Sequence, residues 1–387
     1  MKCARREISA GPLLAIVPAG VTQSIRIPQS GTPLVSIVVP SAAAPEFLFA
    51  CLRSLERHLP ASIPTETIVV LDRAPADAAA AVEAAAPGVL VAASAVRLGL
   101  ARSGNRGRRR ARGEFIALVH DDSEIEAGWL EALVSAAAAH PEAGAFGGLV
   151  TFPDGTPQTA GDVLFRDGSG LPVWAGSSAC AGSLDRLRAA DYCASNALLV
   201  RTAAWDAVGG LDPRYFPAYY VDVDLAMALR DAGWSVLFEP RARNRHRKGA
   251  SSRKTFRLWV NARNRATFVA KWGSALADHE PWDGGSPESV SRALARAEAA
   301  AVRLAAGPRR AGVPPAEATE AADARDERDA LGQDLALHRE YARGLEDLAE
   351  ETAAMRGLAW WRLYGRLLPV LKALRRFSRP GSSSRTR

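Results

Sequence analysis

The feature that most constrains the fold is a short apolar run that ends in carboxylates. The run is Phe115–Val119, and His120, Asp121 and Asp122 follow it directly. A strand of a parallel sheet is covered on both faces, so its sequence is apolar at every position. Open α/β sheets bind ligands at the carboxyl ends of such strands, and paired carboxylates there suit Mg²⁺ or Mn²⁺ carrying phosphates. The stretch alone leaves a second interpretation open, a solvated acidic turn before a helix over 127–139.

Three more apolar runs precede this strand and alternate with helical patterns. Residues 34–40, 67–71 and 89–93 are predicted strands, so strand and helix alternate four times before residue 125. This alternation predicts right-handed βαβ units and a doubly wound parallel sheet. The second run ends at Asp72, which either accepts hydrogen bonds from a nucleoside or caps a helix. The glycines form neither GxGxxG nor GxxxxGK[ST], so no dinucleotide or Walker motif is predicted.

A second acidic pair, Asp222 and Asp224, opens a predicted amphipathic helix. The helix macrodipole stabilises carboxylates in a first turn by roughly 0.3–1 kcal/mol each. The spacing alone therefore leaves a structural role as open as a catalytic one. A strand over 235–240 follows, and His246 is expected in a polar, basic loop beyond it. A neutral imidazole there can ligate a divalent metal, although Mg²⁺ prefers oxygen.

Charge and cysteine usage limit the partners and the compartment. The formal net charge is +7, but residues 360–387 hold eight basic residues and no acid. The excess belongs to this tail, and no nucleic-acid-binding pattern is present, so we expect no nucleic acid partner. No apolar stretch is long enough to span a bilayer, and Pro12 and Pro18 interrupt any signal peptide, so we expect a cytoplasmic protein. The widely spaced cysteines are expected to be reduced thiols; they are Cys3, Cys51, Cys180 and Cys193.

Between residues 33 and 272, several short segments occur in a specific order and spacing. They are VSIVVP, IVVLD, LGLARSGNRG, ARGEFIALVHDD, CASNALLVR, VGGLDPRYF, DVDLAMALRDAGW and HRKGASS. In this order they resemble family 2 glycosyltransferases of the GT-A fold, especially the bacterial rhamnosyltransferase-like branch. The resemblance implies an α/β, GT-A-type doubly wound, mostly parallel sheet flanked by helices. A C-terminal helical extension follows it in this chain.

The resemblance also implies roles for individual residues. Asp222 matches the catalytic base, and Asp122 and His246 match residues that hold a divalent metal, Mn²⁺ or Mg²⁺. The resemblance implies nucleotide-sugar binding for Pro40, Asp72, Asn105, Asp121 and Arg263. Of these, Arg263 is implied to clamp a phosphate. The chain departs from the family pattern at two positions. His120 stands where an acid or Asn is usual, and Val221 stands where Glu usually precedes the base.

The implied activity is an inverting sugar transfer. The donor would be a nucleotide-sugar, UDP- or dTDP-linked, and the acceptor a hydroxyl of a glycan or a lipid-linked acceptor in bacterial surface polysaccharide assembly. One alternative is a nucleotidyltransferase, which is disfavoured because Pro40–Pro45 has neither the Gly-rich loop nor its Lys or Arg. The other is a catalytically inactive scaffold, which the departures at His120 and Val221 leave open.

We predict four segments along the chain. Residues 1–30 form an N-terminal extension, 31–275 the GT-A domain, 276–315 a Pro/Gly/Ala-rich linker with a helical piece, and 316–387 a helical extension. Mostly apolar residues spaced three or four apart from Leu331 to Met355, with His338 and Thr352 among them, make an imperfect candidate coiled coil and a candidate homodimer. Residues 360–377 oppose aromatic and leucine side chains to basic ones, which suits the surface of an anionic membrane at its inner face. Packing of this stripe against protein is the alternative.

Overall fold

The computed structural model describes residues 24–42, 45–173, 184–247, 254–310, 312 and 319–357. The residues up to Asp334 form one compact unit, and those from Leu335 onward belong to a second. Most of the predicted extension 1–30 and the whole basic tail 360–387 lie outside the described residues. Within the described part of the chain, no helix has both the length and the apolar character needed to cross a bilayer.

The chain alternates strands and helices up to β4, and shorter strands occur between there and the last long strand. The strands are β1 (Val35–Ser41), β2 (Thr65–Leu71), β3 (Leu90–Ala93), β4 (Phe115–Val119), β5 (Ser123–Ile125), β6 (Ala143–Thr151), β7 (Pro157–Thr159), β8 (Val163–Leu164), β9 (Gly170–Leu171), β10 (Arg188–Ala189), β11 (Ala197–Arg201) and β12 (Ser235–His246). The helices are α1 (Pro45–His58), α2 (Ala78–Ala85), α3 (Gly99–Arg110), α4 (Trp129–Ala139), α5 (Thr202–Ala207), α6 (Val221–Asp231), α7 (Lys254–Trp272), α8 (Pro287–Ala306) and α9 (Glu320–Gly357).

The main sheet confirms the predicted α/β architecture. Its strand order is β10-β12-β6-β11-β4-β1-β2-β3, with β5 beside β12 and β7 beside β6. Strands β4, β1, β2 and β3 run parallel, as do β6 and β12, whereas β11 is antiparallel to both of its neighbours. The carboxyl ends of β1, β2 and β4 therefore meet at one edge.

Strand β1 shows why the predicted strands are apolar at every position. Val35, Ile37 and Val39 belong to a hydrophobic core on one face, which also contains residues of α1 and α4. Val38 points to a second core on the other face, beneath α3, α5 and α6. Each side chain of the strand is thus taken out of water, and burying an aliphatic side chain stabilises the fold by about 1.5–3 kcal/mol.

Strand β12 is longer than predicted. The expected strand over 235–240 continues to His246, where its last residues pair with β5 and with the end of β6. The expectation that His246 lies in a loop was therefore wrong. The polar sequence after Pro240 hid the strand, because the register shifts between Glu239 and Arg243 and the side chains beyond that bulge alternate between exposed arginines and buried residues instead of being buried on both faces.

Part of the predicted linker 276–315 is a packed helix. Val290 and Ala293 of α8 are buried against Val163 and Phe165. Arg296 of α8 also forms an ion pair with the fully buried Asp191. Helix α8 is therefore part of the compact unit, and the predicted domain boundaries themselves stay predictions.

The first turns of α9 also belong to the compact unit. Asp323 forms ion pairs with Arg106, Arg109 and Arg110 of α3. Arg106 has a side chain that is only 1% exposed, and a buried cation needs such partners to offset its desolvation. The described start of the predicted helical extension, at Glu320, thus lies within the first compact unit, and its candidate coiled coil stays a prediction.

Candidate active site

A cavity of about 330 Å³ lies at the carboxyl ends of β1, β2 and β4. We call it the strand-end cavity. It is the position where open α/β sheets bind ligands, because the loops that follow parallel strands diverge there. Its polar lining includes Ser41, Asp72, Arg73, Arg97, His120, Asp121 and Asp122, with Pro40 and Tyr219 beside them.

A second cavity, of about 510 Å³, adjoins the first. We call it the central cavity. His120, Asp122 and Tyr219 line both cavities, so these residues stand where the two meet. The polar groups found only in the central cavity are Gln158, Thr159, Asp162, Tyr192, Ser195, Asn196, Tyr220, Asp222, His246, Arg257 and Asn261.

At the junction, His120, Asp122 and His246 place one ligand atom each within 4.8 Å of one another. His246 Nε2 lies 3.3 Å from Asp122 Oδ1. Burial lowers the pKa of His120 to about 4, so this imidazole is neutral near pH 7 and keeps a lone pair for a cation. Burial raises the pKa of Asp122, but contact with His246 and the nearby His120 outweigh it and the net pKa is lowered. Two imidazoles and one carboxylate fit a first-row divalent ion such as Mn²⁺.

His120 is the member of this cluster that the sequence did not predict. The resemblance marked it as a departure, because the position usually carries an acid or Asn. In the structure it offers a nitrogen atom where the family usually has an oxygen, and its backbone N donates to the carbonyl of Asn196 (3.0 Å), the residue before β11. Only the pairing of the end of β12 with β5, in which His246 lies opposite Ser123, brings His246 to it.

Asp222 lies in the first turn of α6 and lines the central cavity. Its Oδ2 accepts a hydrogen bond from Ser195 N (3.2 Å), and its Oδ1 accepts one from Val223 N (3.0 Å). Burial raises the pKa of the carboxyl above its ordinary value, and these amides partly oppose the rise. A carboxylate with a raised pKa is a stronger base, which suits it to take a proton.

The other acid of the predicted pair, Asp224, has a structural role. It is 2% exposed and accepts hydrogen bonds from Tyr215 Oη (2.9 Å), Lys271 Nζ (2.8 Å) and Trp272 Nε1 (2.7 Å). Val221, the second departure, is fully buried in the apolar core on the sheet face of α6. Its side chain points away from the cavity, so an apolar residue there leaves Asp222 in place.

Asp72 lies at the end of β2, lines the strand-end cavity and also holds helix α3. Its Oδ1 accepts a hydrogen bond from Leu98 N (2.6 Å), and its Oδ2 accepts one from Gly99 N (3.0 Å). Burial raises its pKa, and these two amides and nearby arginines oppose that rise. The two interpretations left open by the sequence, ligand binding and helix capping, are thus compatible, because each carboxylate oxygen has a further lone pair.

Pro40 and Asp121 also line the strand-end cavity, where Asp121 Oδ2 accepts a hydrogen bond from Ser41 Oγ (2.9 Å). The structure does not bring Asn105 or Arg263 to either described cavity. The side-chain amide of Asn105 bonds both backbone groups of Leu211 (2.7 and 2.9 Å). Arg263 donates to the side chain of its neighbour Asn264 (2.9 Å).

The arginines that do line the cavities are Arg73 and Arg97 on the strand-end side and Arg257 on the central side. The sequence analysis assigned no role to them. The sequence offered a signal for Arg97, because it lies directly before the start of α3, where Asp72 accepts a hydrogen bond from Leu98 N. Arg257 could not, because only the fold of α7 shows which of its many basic residues faces the cavity.

Tyr219 and Tyr220, at the entrance to α6, have an unusual backbone. Their φ angles are 70° and 64°, a left-handed conformation that is costly for non-glycine residues and is found mainly at functional sites. Asn264 stabilises the turn by donating to the carbonyls of Ala218 (2.8 Å) and Tyr219 (3.1 Å). Tyr220 Oη donates to the carbonyl of Gly168 (2.8 Å). The turn holds Tyr219 at the junction of the cavities and sets the position of Asp222.

Comparisons with known proteins agree with this architecture. The family model "Glycosyl transferase family 2" matches residues 36–205. The N-acetylglucosaminyl-diphospho-decaprenol L-rhamnosyltransferase of Mycobacterium tuberculosis is 32% identical over 181 residues, 44% of this chain and 57% of that protein. The O-antigen biosynthesis protein RfbC of Myxococcus xanthus is 28% identical over 277 residues, 69% of this chain and 20% of that protein.

Residues 36–205 therefore match glycosyl transferase family 2, and the predicted resemblance to this family and its rhamnosyltransferase-like members is confirmed. The match spans only part of these relatives. Among solved structures, a crystal structure of GalNAc-T7 with UDP, GalNAc and Mn²⁺ matches with a TM-score of 0.50 at 14% identity, over 65% of this chain and 50% of that one. At this identity the likeness concerns the fold, and it agrees with the predicted GT-A type.

Proposed function

We propose that the protein is an inverting glycosyltransferase that moves a sugar from a nucleotide-sugar to a hydroxyl group of a glycan or a lipid-linked acceptor. The observation that carries the proposal is the arrangement of two adjoining cavities around one cluster of ligand atoms. A carboxylate suited to act as a base, Asp222, lies in one cavity. The carboxyl ends of three strands line the other. The names of the rhamnosyltransferase and O-antigen relatives support a role in surface polysaccharide assembly.

The strand-end cavity would take the nucleoside diphosphate part of the donor. Asp72, with Pro40 and Asp121, would contact the nucleoside side, and Arg73 and Arg97 offer cations for phosphate oxygens. The sequence implied that Arg263 contacts the phosphates. We assign this role to Arg73 and Arg97 instead, because they line the cavity. A UDP- or dTDP-linked donor is part of the proposal.

His120, Asp122 and His246 would hold the divalent ion. When bound, such an ion neutralises the charge that develops on the leaving diphosphate. The ligands would come from the turn after β4 and from the end of β12, so the ion would also tie the two halves of the sheet together at the junction of the cavities.

Asp222 would act on the acceptor. The acceptor oxygen attacks the anomeric carbon, its proton passes to Asp222, and the bond from the anomeric carbon to the diphosphate oxygen breaks with its electron pair on the leaving group. Ser195 N and Val223 N keep the carboxylate aimed into the cavity, so the base does not have to reorganise during the step.

The proposal is tested by measuring nucleoside diphosphate release from UDP-, dTDP- and GDP-sugars, with and without Mn²⁺ and with an acceptor extract. We expect release that depends on one nucleotide and on Mn²⁺. A nucleotidyltransferase would instead release pyrophosphate from a nucleoside triphosphate and a sugar phosphate. An inactive scaffold would bind a nucleotide without turnover, and either result would overturn the proposal.

Attachment of the C-terminal tail to an anionic membrane at its inner face remains part of the proposal, as does a homodimer. The tail, residues 360–387, lies outside the described residues, so the argument rests on its sequence. Cosedimentation of the full chain, and of a chain ending at Gly357, with anionic and neutral vesicles tests it. We expect a salt-sensitive preference for anionic vesicles that depends on the tail, and equal binding of the two chains would count against it.

A further inference from the structure

Gln158 makes two contacts to a single residue, His246. It lies in the short strand β7, is 8% exposed, and faces the central cavity. Its Oε1 lies 2.7 Å from Nδ1 of the His246 ring. Its Nε2 donates to the backbone carbonyl of the same His246 (3.3 Å). No role has been given to Gln158 so far.

These two contacts fix the orientation of the Gln158 amide and, through it, the tautomer of the His246 imidazole. A backbone carbonyl can only accept a hydrogen bond, so the end of Gln158 that faces it must be the NH₂ group. The other end is then the carbonyl oxygen, which can only accept. His246 Nδ1 must therefore carry a hydrogen, and in the neutral ring the lone pair lies on Nε2.

That lone pair points to the candidate metal cluster. His246 Nε2 lies 3.3 Å from Asp122 Oδ1, so two electron-rich atoms face each other when the imidazole is neutral. A cation that binds both atoms would relieve their repulsion. Metal-binding histidines generally donate their other ring N–H to a fixed acceptor, which sets both the tautomer and the ring orientation.

We propose that Gln158 is a positioning residue, which holds His246 with its proton on Nδ1 so that Nε2 is available, with Asp122, to a divalent cation. This inference rests on the proposed metal site. Gln158 reaches His246 only because β7 pairs with β6, which in turn pairs with β12. The two residues are 88 positions apart in the sequence.

The test is the affinity for Mn²⁺, measured by isothermal titration calorimetry on the full chain. Gln158→Met keeps the length and volume of the side chain but removes the amide, and we expect Mn²⁺ to bind about 10–100-fold more weakly, the range found for such outer partners. Gln158→Glu keeps an acceptor for Nδ1–H but loses the donor to the His246 carbonyl, so its affinity should lie closer to that of the wild type than to that of Gln158→Met. Gln29→Met makes the same substitution at an exposed position away from the site, where Gln29 Oε1 accepts from Thr67 N (3.0 Å) near the amino-terminal end of β2, and should leave the affinity unchanged.

A double-mutant cycle separates positioning from general loosening of the fold. In a His246→Ala background, Gln158→Met should weaken Mn²⁺ binding no further, since its effect passes through His246. If Gln158→Met binds Mn²⁺ like the wild type, or if Gln158→Glu is as weak as Gln158→Met, the inference is wrong while the metal site stands. If the wild type binds no Mn²⁺, the proposed metal site fails and the inference falls with it. Thermal unfolding of each variant checks that it is folded.

Discussion

The two cavities differ in their charges. The strand-end cavity sets the carboxylates Asp72 and Asp121, with the shared Asp122, beside two arginines, Arg73 and Arg97. The central cavity instead gathers three acids, Asp122, Asp162 and Asp222, against one arginine and two histidines.

The two cavities therefore differ in how the negative charge of their acids is balanced. Arginines of the chain face the acids of the strand-end cavity. In the central cavity, three acids outnumber one arginine and leave an excess of negative charge, and burial together with the charge of Asp222 raises the pKa of Asp162. A divalent cation at the junction would reduce this excess. Acids on the central side should therefore respond most to metal and to pH.

The largest effect should come from the proposed base. Asp222→Asn keeps the shape of the side chain but cannot take a proton, and loss of a general base typically lowers the rate about 10²–10⁴-fold. Donor binding, measured by calorimetry, should change little because Asp222 lies outside the strand-end cavity. Transfer at the wild-type rate would show that Asp222 is not the base and that it only stabilises the first turn of its helix.

The next effect concerns the cluster at the junction. Asp122→Ala removes the only carboxylate ligand, and we expect metal-dependent nucleotide binding to weaken by more than the ~10–100-fold typical of an outer partner. His120→Ala should cost less, because carboxylate oxygen is the better ligand for a hard cation. Titration of the nucleotide with and without Mn²⁺ measures both variants. Equal losses would mean that His120 is as strong a ligand as Asp122.

The third effect is a pH dependence of stability centred on Asp162. Burial raises its pKa from 3.8 to about 6, and it is 2% exposed. Because the folded pKa is the higher one, this residue stabilises the fold fully below pH 4 and the contribution is lost as pH rises to about 6. The rise corresponds to about 3 kcal/mol at most.

Asp162→Asn removes this dependence, because a neutral amide can still accept from Thr159 Oγ1, which lies 2.5 Å from the carboxylate. The variant should therefore gain stability relative to the wild type between pH 4 and pH 7. Urea unfolding at both pH values measures the change. A constant difference between the two proteins would show that Asp162 ionises normally.

The smallest effect is expected on the strand-end side. Asp72→Ala leaves the amides of Leu98 and Gly99 without their acceptor, which typically costs about 1–3 kcal/mol. Urea unfolding should show this loss at every pH near neutrality, unlike the loss tied to Asp162. Gly107→Ala is a control away from both cavities, since an added Cβ would lie 2.2 Å from Val38 Cγ1. It should cost stability, about 1–3 kcal/mol for an overpacked core, without changing nucleotide affinity for the folded protein.

The strand-end side was largely predictable from the sequence. Pro40, Asp72 and Asp121 follow apolar runs, and parallel strands bring their carboxyl ends to one edge whatever the details of packing. The sequence also indicated Asp122, Asp222 and His246, although only through the resemblance of short ordered segments to a family. Local patterns could not separate Asp222 from Asp224, because both stand in the first turn of the same helix.

The chain by itself thus determined the alternation of elements, the edge at which a ligand binds and the acids at strand ends, because these depend on neighbours in the sequence. Tertiary structure decided the rest. Pairings between distant segments bring His120 into the cluster and place Gln158 in contact with His246. They also keep Asn105 and Arg263 away from the two cavities. Such pairings are set by sheet register and by the helix faces that become buried, which no local pattern encodes.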